Sequence, residues 1–369
     1  MIVLHSEMRD SLHRSFVTAT GQPPSWSSIS CPVTGSHNSG KLRRMMGSCL
    51  VRYICSISTT YLVAVTVWPL LKCRGPRNLV GTALAIVGIA LCPALIPAEN
   101  IVARAICCLV CIDPLFRVLD YSRQWRMGTV TPDSWWAYWT FLLPFPFLLA
   151  VFGEKQRAQR TILFDWKYIA QIMAGLSVCA MALFLCVRSH DVAILRESFL
   201  LDHLFELLLF IVVVESLSQV QFALERLCGF DAIPLTNHAY LARTPAEFWF
   251  RYNQQVRQWL YVNVFVPCGG RRNRPTGIIA VFLVSAIFHE FFFALATSRL
   301  DGYQFAFFML QAPAVILSPR LERLAGQGLG GRFAAQGLTL LWFAVTSPLF
   351  FHGLNRVFPF ISASQSWLP

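Results

Sequence analysis

Five runs of 18 to 20 residues that contain no Asp, Glu, Lys, Arg or His limit what this chain can fold into. A helical run of that length matches the hydrocarbon core of a bilayer, whereas strands that cross a membrane show only weak alternation. Because every backbone polar group must be satisfied within lipid, the runs predict a bundle of α-helices. They occupy residues 53–71, 79–98, 135–152, 168–187 and 333–351.

The composition points to the same class, because 55% of the 369 residues are hydrophobic and only 14% are charged. Soluble domains average about 25% charged residues. Further apolar stretches are short or carry polar groups: 101–119 (Arg104, Asp113, Arg117), 199–222 (Asp202, His203, Glu206, Glu215), 277–297 (His289, Glu290) and 303–317. We predict an all-α, multi-pass integral membrane protein with about eight or nine transmembrane helices.

The N-terminal segment differs from the rest of the chain. It lacks an apolar run of signal-peptide length and is rich in Ser, Gly and Pro between residues 21 and 40. We therefore predict a disordered segment at 1–45 and a transmembrane domain at 46–369. Translation from Met45 or Met46 is an alternative that would remove this segment.

The formal net charge of +12 is typical of membrane proteins, in which Lys and Arg accumulate in cytoplasmic loops. The most basic stretch, 223–275, is predicted to be such a loop. Binding of nucleic acid is not predicted.

The twelve cysteines lie mostly within or beside apolar runs. Cys108 and Cys111 form a CxxC pair without a second pair or a nearby His, so we interpret them as buried small hydrophobic residues. His289-Glu290 resembles half of a zinc-protease motif, but Phe293 stands where that motif needs its second His. The sequence predicts no metal site.

The stretch VFLVSAIFHEFFF, at 281–293, places His289 and Glu290 inside an apolar helix. Each ionisable group at mid-membrane costs roughly 2.5–3.5 kcal/mol, so such groups usually face a polar cavity and mark function. Adjacent helical residues point in different directions, so Glu290 needs a partner of its own. His289 is then either a structural hydrogen-bonding group between helices or a general base.

An amphipathic pattern lies within 243–275. Phe248, Trp249, Tyr252, Val256, Trp259 and Leu260 form an apolar stripe at helical spacing, with polar residues on the other faces. The pattern predicts an amphipathic helix at the membrane interface, with Pro245 in its first turn and Pro267 beyond its end.

The block EFWFRYNQQVRQWLYVNVFVPCGG, followed by SAIFHE, resembles the membrane-bound O-acyltransferases, and within them the wax synthase-like branch. The family pattern is Phe-Trp, a basic residue, an aromatic residue, Asn or His, then Trp-Leu, an aromatic run and Pro-x-Gly-Gly, before a helix that carries its His. The close resemblance covers residues 243–293. The sequence departs from this pattern at two points. Tyr252 stands where many members have Trp, and the stretch after His289 lacks the Gly that is common in polysaccharide-acetylating members.

The resemblance implies that His289 is the catalytic histidine and Asn253 the second active-site residue. It implies transfer of an acyl group from acyl-CoA, a co-substrate, to a lipophilic alcohol such as a fatty alcohol, sterol or terpenoid, with no permanently bound cofactor. Such chemistry needs a base, a donor to the oxyanion and a site that excludes water. The expected partners are membrane lipids and these two substrates.

Further residues have implied roles in substrate binding. Arg271, Arg272 and Arg274 are candidates to hold the phosphates of coenzyme A, since guanidinium groups bind phosphate oxygens in pairs. The positive-inside rule is the alternative explanation of these three arginines. We expect Trp249, Tyr252 and Glu290 to contact the substrates.

Two other functions stay open at this point. The first is an enzyme of the same class that transfers the acyl group to an exported polysaccharide. The second is a transporter that carries protons or ions along a path formed by His289, Glu290, Glu215 and Glu206. An internal repeat with paired broken helices, typical of transporters, is not visible in the sequence.

Overall fold

A computed structural model describes residues 37–128, 134–143, 165–229, 233–326 and 328–364, with side chains from Cys49 onward. Contacts divide the chain into two units, Met1–Ser48 and Cys49–Pro369. Of the first unit, the structure describes a helical backbone from His37. The predicted disordered segment otherwise falls outside the described residues, and the domain boundary at residue 46 stays a prediction.

The described part of the chain is helical and contains no strands, which confirms the all-α class. Short 3₁₀ helices occur at Cys92–Leu95 and Ala239–Leu241, and a π-helical turn at Tyr261–Phe265. The α-helices are α1 (His37–Thr66), α2 (Trp68–Leu71), α3 (Pro76–Leu91), α4 (Ile101–Arg126), α5 (Trp135–Leu142), α6 (Trp166–Ser189), α7 (Ala193–Glu197), α8 (Phe199–Leu227), α9 (Pro245–Arg251), α10 (Gln254–Leu260), α11 (Arg274–Thr297), α12 (Tyr303–Ala325) and α13 (Leu329–Val357).

Six helical segments in the described residues are long and apolar enough to cross a membrane: Cys49–Leu71, Pro76–Leu95, Trp166–Ser189, Phe199–Leu227, Arg274–Thr297 and Leu329–Val357. Four of them contain the charge-free runs at 53–71, 79–98, 168–187 and 333–351 almost completely. Helices α4 and α12 are of similar length but more polar. The run at 135–152 is described only as far as residue 143. The chain is an integral, multi-pass membrane protein, while eight or nine spans stay a prediction.

The N-terminal helices pack around an aromatic core of their own. The hydroxyl of Tyr138 on α5 donates to the carbonyl of Ala64 on α1 at 2.8 Å, and Trp68 Nε1 donates to the Tyr121 hydroxyl at 3.0 Å. Cys108 and Cys111 on α4 are both buried, as predicted.

The predicted amphipathic helix is not continuous, because α9 ends at Arg251 and α10 begins at Gln254. Asn253 between them has φ of 46°, a left-handed conformation that ends a helix. Two backbone hydrogen bonds fix the break to the preceding loop, from Gln254 N to Leu235 O at 2.7 Å and from Asn237 N to Arg251 O at 3.0 Å. Pro245 does begin α9, as predicted.

The Gly269-Gly270 turn brings α11 close to the segment before it. Gly269 has φ of 77°, which favours glycine. A Cβ on Gly277 of α11 would lie 2.6 Å from the Cα of Gly270, so both positions exclude larger residues. This close approach sets the start of α11 against the π-helical turn Tyr261–Phe265.

Candidate active site

A cavity of about 1010 Å³ lies between α8, α9, α10, α11, α12 and α13. Its wall is mostly aromatic and aliphatic, with a small number of polar side chains. The polar lining residues are Glu215, Thr236, Tyr240, Tyr252, Asn253, Arg257, Gln258, Arg274, Ser285, His289 and Ser347. Five of the predicted site residues therefore line one cavity: His289, Asn253, Trp249, Tyr252 and Arg274.

His289 reaches the cavity from the middle of α11. Its Nδ1 lies 2.8 Å from the carbonyl oxygen of Ser285, and a carbonyl only accepts hydrogen bonds, so Nδ1 carries the proton of the neutral ring. Among the described residues nothing hydrogen-bonds Nε2. The ring stacks on Phe308 of α12 with centroids 4.0 Å apart. The arrangement leaves a fixed Nε2 lone pair, as a general base needs.

Asn253 lines the cavity from the break between α9 and α10. Its Oδ1 accepts a weak hydrogen bond from Val256 N at 3.4 Å and so caps α10. Asn tolerates the left-handed backbone better than most residues, because its short polar side chain bonds locally. Within the described chain, no hydrogen bond is made by Nδ2. This amide group is therefore placed to donate into the cavity.

Trp249 and Tyr252 form part of the cavity wall, as expected for substrate contacts. Trp249 packs against Phe282, Phe308 and Phe343, with ring centroids 5.4 to 6.1 Å apart. Its Nε1 is buried without a hydrogen-bond partner in the described part of the chain. Burial raises the pKa of Tyr252 to about 12, so its phenol keeps the proton at neutral pH. The Tyr252 phenol can therefore donate to an oxygen of a ligand, whereas Trp249 contributes apolar ring surface to the wall.

Glu290 is not among the residues that line the cavity, so its predicted role in substrate binding stays a prediction. Its carboxylate accepts hydrogen bonds from the backbone N–H groups of Asp301, Gly302 and Phe305 at 3.1, 2.7 and 3.0 Å. These groups belong to the turn before α12 and to its first residues. Glu290 therefore fixes the start of α12, in agreement with the expectation that it has a partner of its own.

The three arginines of the predicted phosphate site are separated by the structure. All three are exposed, around the start of α11. Arg274 lines the cavity, whereas Arg271 and Arg272 are not among the lining residues. The structure thus brings one arginine of the cluster to the cavity.

The acidic groups proposed for a transport path lie apart from one another. Glu206 accepts from Asn355 Nδ2 at 3.3 Å, and Glu215 accepts from the Thr236 hydroxyl at 2.8 Å. Glu290 caps α12 instead. In the described residues these groups do not hydrogen-bond each other or His289.

The sequence predictions missed several residues of the cavity. Ser285 precedes His289 by four positions, the spacing of neighbours on a helix, so periodicity was a signal for it. Phe308 and Phe350, whose rings lie near His289, come from other helices and gave no local signal. Ser347 forms a hydrogen bond with His203, which lies 144 residues away in the sequence and so gave no local signal.

Comparison with known proteins defines the class to which this fold and cavity belong. Residues 128–345, more than half of the chain, match the model of MBOAT, the membrane-bound O-acyltransferase family. The matched region includes α8 to α12, most of α13 and both conspicuous blocks. The chain belongs to the membrane-bound O-acyltransferase family.

Shorter matches link the chain to particular plant enzymes. Diacylglycerol O-acyltransferase 1C of Glycine max is 34% identical over 83 residues, which is 22% of this chain and 16% of that protein. Diacylglycerol O-acyltransferase 1 of Arabidopsis thaliana is 29% identical over 90 residues, or 24% and 17% of the two chains. The chain thus aligns with about a sixth of the length of these relatives. They do not single out the wax synthase-like branch, which stays a prediction.

Proposed function

We propose that this protein transfers an acyl group from acyl-CoA to the hydroxyl group of a lipophilic alcohol, releasing the thiol. The observation that carries the proposal is His289, with a free Nε2 on the wall of a large apolar cavity, in a chain of this family. The cavity has a size typical of pockets for small ligands, and its apolar wall suits long aliphatic chains.

The proposed reaction uses His289 as the base. Nε2 takes the proton of the acceptor hydroxyl while its oxygen attacks the thioester carbonyl. The oxyanion that forms is stabilised by a donor such as the Asn253 amide. Collapse of the intermediate breaks the C–S bond, forms the ester and returns the proton from His289 to the thiolate. The apolar wall limits competing hydrolysis by excluding water.

The acceptor is proposed from the relatives and from the cavity together. The names of the matched plant proteins bring diacylglycerol forward as the first acceptor to test. A fatty alcohol, sterol or terpenoid is the alternative from the sequence resemblance. In either case acyl-CoA is a co-substrate, and the chemistry needs no permanently bound cofactor.

The test uses the full-length protein purified in detergent or reconstituted in lipid. Radiolabelled acyl-CoA is supplied with diacylglycerol, 1-hexadecanol or a sterol, and both ester and free thiol are measured. We expect equal amounts of ester and thiol with at least one acceptor. His190→Gln is a matched control, because His190 lies outside the cavity and contacts the Phe360 carbonyl. Thiol release without ester, or neither product with any acceptor, would contradict the proposal.

A further inference from the structure

A polar spot interrupts the apolar wall where α13 borders the cavity. Pro348 lies inside α13 and has no backbone N–H, so the carbonyl of Ala344, four residues earlier, has no helical donor. Ala344 and Ser347 both line the cavity. The Ser347 hydroxyl lies 3.4 Å from the Ala344 carbonyl, a weak contact. The Ala344 carbonyl is hydrogen-bonded by His203 of α8 instead. The turn before Pro348 therefore presents the Ser347 hydroxyl to the cavity beside a carbonyl that a side chain satisfies.

A buried histidine lies behind Ser347. His203 of α8 is 3% exposed, and its Nε2 lies 3.0 Å from Ser347 Oγ. Phe199 stacks on the imidazole with centroids 5.7 Å apart, and Phe351 meets its edge at 5.3 Å. Glu206 Oε2 lies 4.0 Å from His203 Nδ1. These contacts lock the imidazole and, through it, the Ser347 hydroxyl. We call Ala344 O, Ser347 Oγ and His203 Nε2 the α13 anchor.

Ser347, His203 and the nearby Glu206 have the residue types of a hydrolytic triad, but the α13 anchor lacks backbone donors for an oxyanion. A nucleophilic serine needs backbone N–H groups that point at the oxyanion. Ser347 lies inside α13, where backbone N–H groups are engaged in the helix. The anchor is therefore suited to binding an oxygen atom of a ligand, and Ser347 is not placed to form an acyl intermediate.

The Ala344 and Ser347 positions of the anchor line the same cavity as His289. Phe350, one helical turn after Ser347, has its ring centroid 6.5 Å from that of His289. One turn of helix corresponds to a rise of about 5 Å. Phe350 thus lies between the two positions on the cavity wall, and a lipid bound in this cavity can contact both His289 and the Ser347 hydroxyl.

Resting on the proposed function, we propose that the α13 anchor binds a second oxygen of the acceptor and makes Ser347 a specificity-determining residue. The acceptor class is a lipid alcohol with an ester carbonyl or a hydroxyl near the reacting hydroxyl, as in a glycerolipid. A plain long-chain alcohol has no group for this position and leaves the anchor without a ligand oxygen when water is excluded. The site thereby favours the first class over the second.

The experiment measures the ratio of kcat/KM for 1,2-diacylglycerol to kcat/KM for 1-hexadecanol. In Ser347→Ala we expect this ratio to fall about fivefold to tenfold, the scale of one hydrogen bond. Ser347→Thr keeps a hydroxyl and should retain the wild-type ratio within about twofold. Thr346→Val is the matched control, because Thr346 pairs with Gln311 and is not among the lining residues.

Two further acceptors identify the oxygen. A 1,2-dialkylglycerol lacks carbonyls, and 1,2-hexadecanediol offers only a second hydroxyl. If Ser347→Ala lowers kcat/KM for diacylglycerol but not for the dialkyl lipid, the ligand oxygen at the anchor is the ester carbonyl. If Ser347→Ala also lowers kcat/KM for the diol, the anchor binds a hydroxyl.

Other results would overturn the proposal. An unchanged ratio in Ser347→Ala of wild-type melting temperature would remove the anchor from acceptor binding, as would a change confined to the KM for acyl-CoA. If Ser347→Ala does not accumulate, Ser347→Cys, which nearly conserves volume and weakens the hydrogen bond, takes its place. A wild-type protein that esterifies none of the acceptors refutes the proposed function itself, a result distinct from an active enzyme with an unaltered ratio.

Discussion

His289 Nδ1 and the carbonyl oxygen of Ser285 form a 2.8 Å hydrogen bond within a single helix. Metal-free histidine bases are often oriented by a carboxylate on another element. Here the helix itself orients the imidazole, since the carbonyl belongs to the backbone four residues earlier. The acidic neighbour Glu290 is committed to the start of α12. The tautomer of His289 thus depends only on local helical structure.

The first prediction concerns His289. Both His289→Ala and His289→Gln should lower the rate of acyl transfer by about 10²-fold to 10⁴-fold, the usual contribution of a general base. Expression and the melting temperature should change little, because α11 stays apolar and helical. Ester formation by purified protein, measured beside the His190→Gln control, checks this. A variant that retains more than about a hundredth of the wild-type rate would show that His289 is not the base.

The second prediction separates the backbone of Asn253 from its amide. Asn253→Ala removes the cap of α10, worth about 1 kcal/mol, and places a Cβ residue at φ of 46°. Asn253→Gly accepts that backbone and should cost only a few tenths of a kcal/mol. If the amide stabilises the oxyanion, both variants should lose about 10²-fold in kcat. Melting temperatures and kcat are measured for both, and wild-type kcat in the glycine variant would rule out the amide.

The sequence was sufficient to predict the class of fold and to single out His289, which lines the cavity, as a candidate site residue. Long apolar runs predict membrane-spanning helices, and an ionisable residue such as His289 is rare inside such a run. The break at Asn253 was not predictable from periodicity, because the apolar stripe of Phe248, Trp249, Val256 and Trp259 continues on both sides of it. What breaks the helix is the loop that bonds Gln254 N through Leu235 O.

Tertiary contacts also explain why Glu290 lies outside the cavity lining and why the sequence analysis omitted Ser347. The partners of Glu290 are backbone N–H groups 11 to 15 residues later, and backbone donors leave no signature in residue types. Ser347 gains its significance from Pro348, a local signal, and from His203, 144 residues away. The sequence shows that Pro348 cannot donate to the carbonyl of Ala344, but it does not show that α8 packs against this position.

The third prediction tests Glu290 as a structural residue. Glu290→Ala removes three hydrogen bonds to the start of α12, each worth about 0.5–1.5 kcal/mol, so the melting temperature should fall by a few degrees. The KM values of correctly folded protein should stay near wild type. Glu99→Ala, at an exposed glutamate, is the control and should leave the melting temperature unchanged. A raised KM without loss of stability would instead support Glu290 as a substrate-binding residue.

The last prediction divides the basic turn into two parts. Arg274 lines the cavity, whereas Arg271 and Arg272 are exposed outside its lining. If a guanidinium group holds a phosphate of coenzyme A, Arg274→Gln should raise the KM for acyl-CoA, with much less effect on the KM for the acceptor. High salt should imitate the defect in the wild type, because exposed charge contacts are screened.

The double variant Arg271→Gln, Arg272→Gln is the matched comparison for Arg274→Gln, since it removes more charge from the same turn but none from the cavity lining. Under the positive-inside rule this variant should lower membrane yield or change the orientation of the loop while the KM for acyl-CoA stays the same. Orientation is checked by labelling the exposed Cys268 in the same turn, so that KM is compared only between correctly inserted proteins. An acyl-CoA KM that is unaltered in Arg274→Gln and raised in the double variant would move the phosphate contact out of the cavity to the exposed turn.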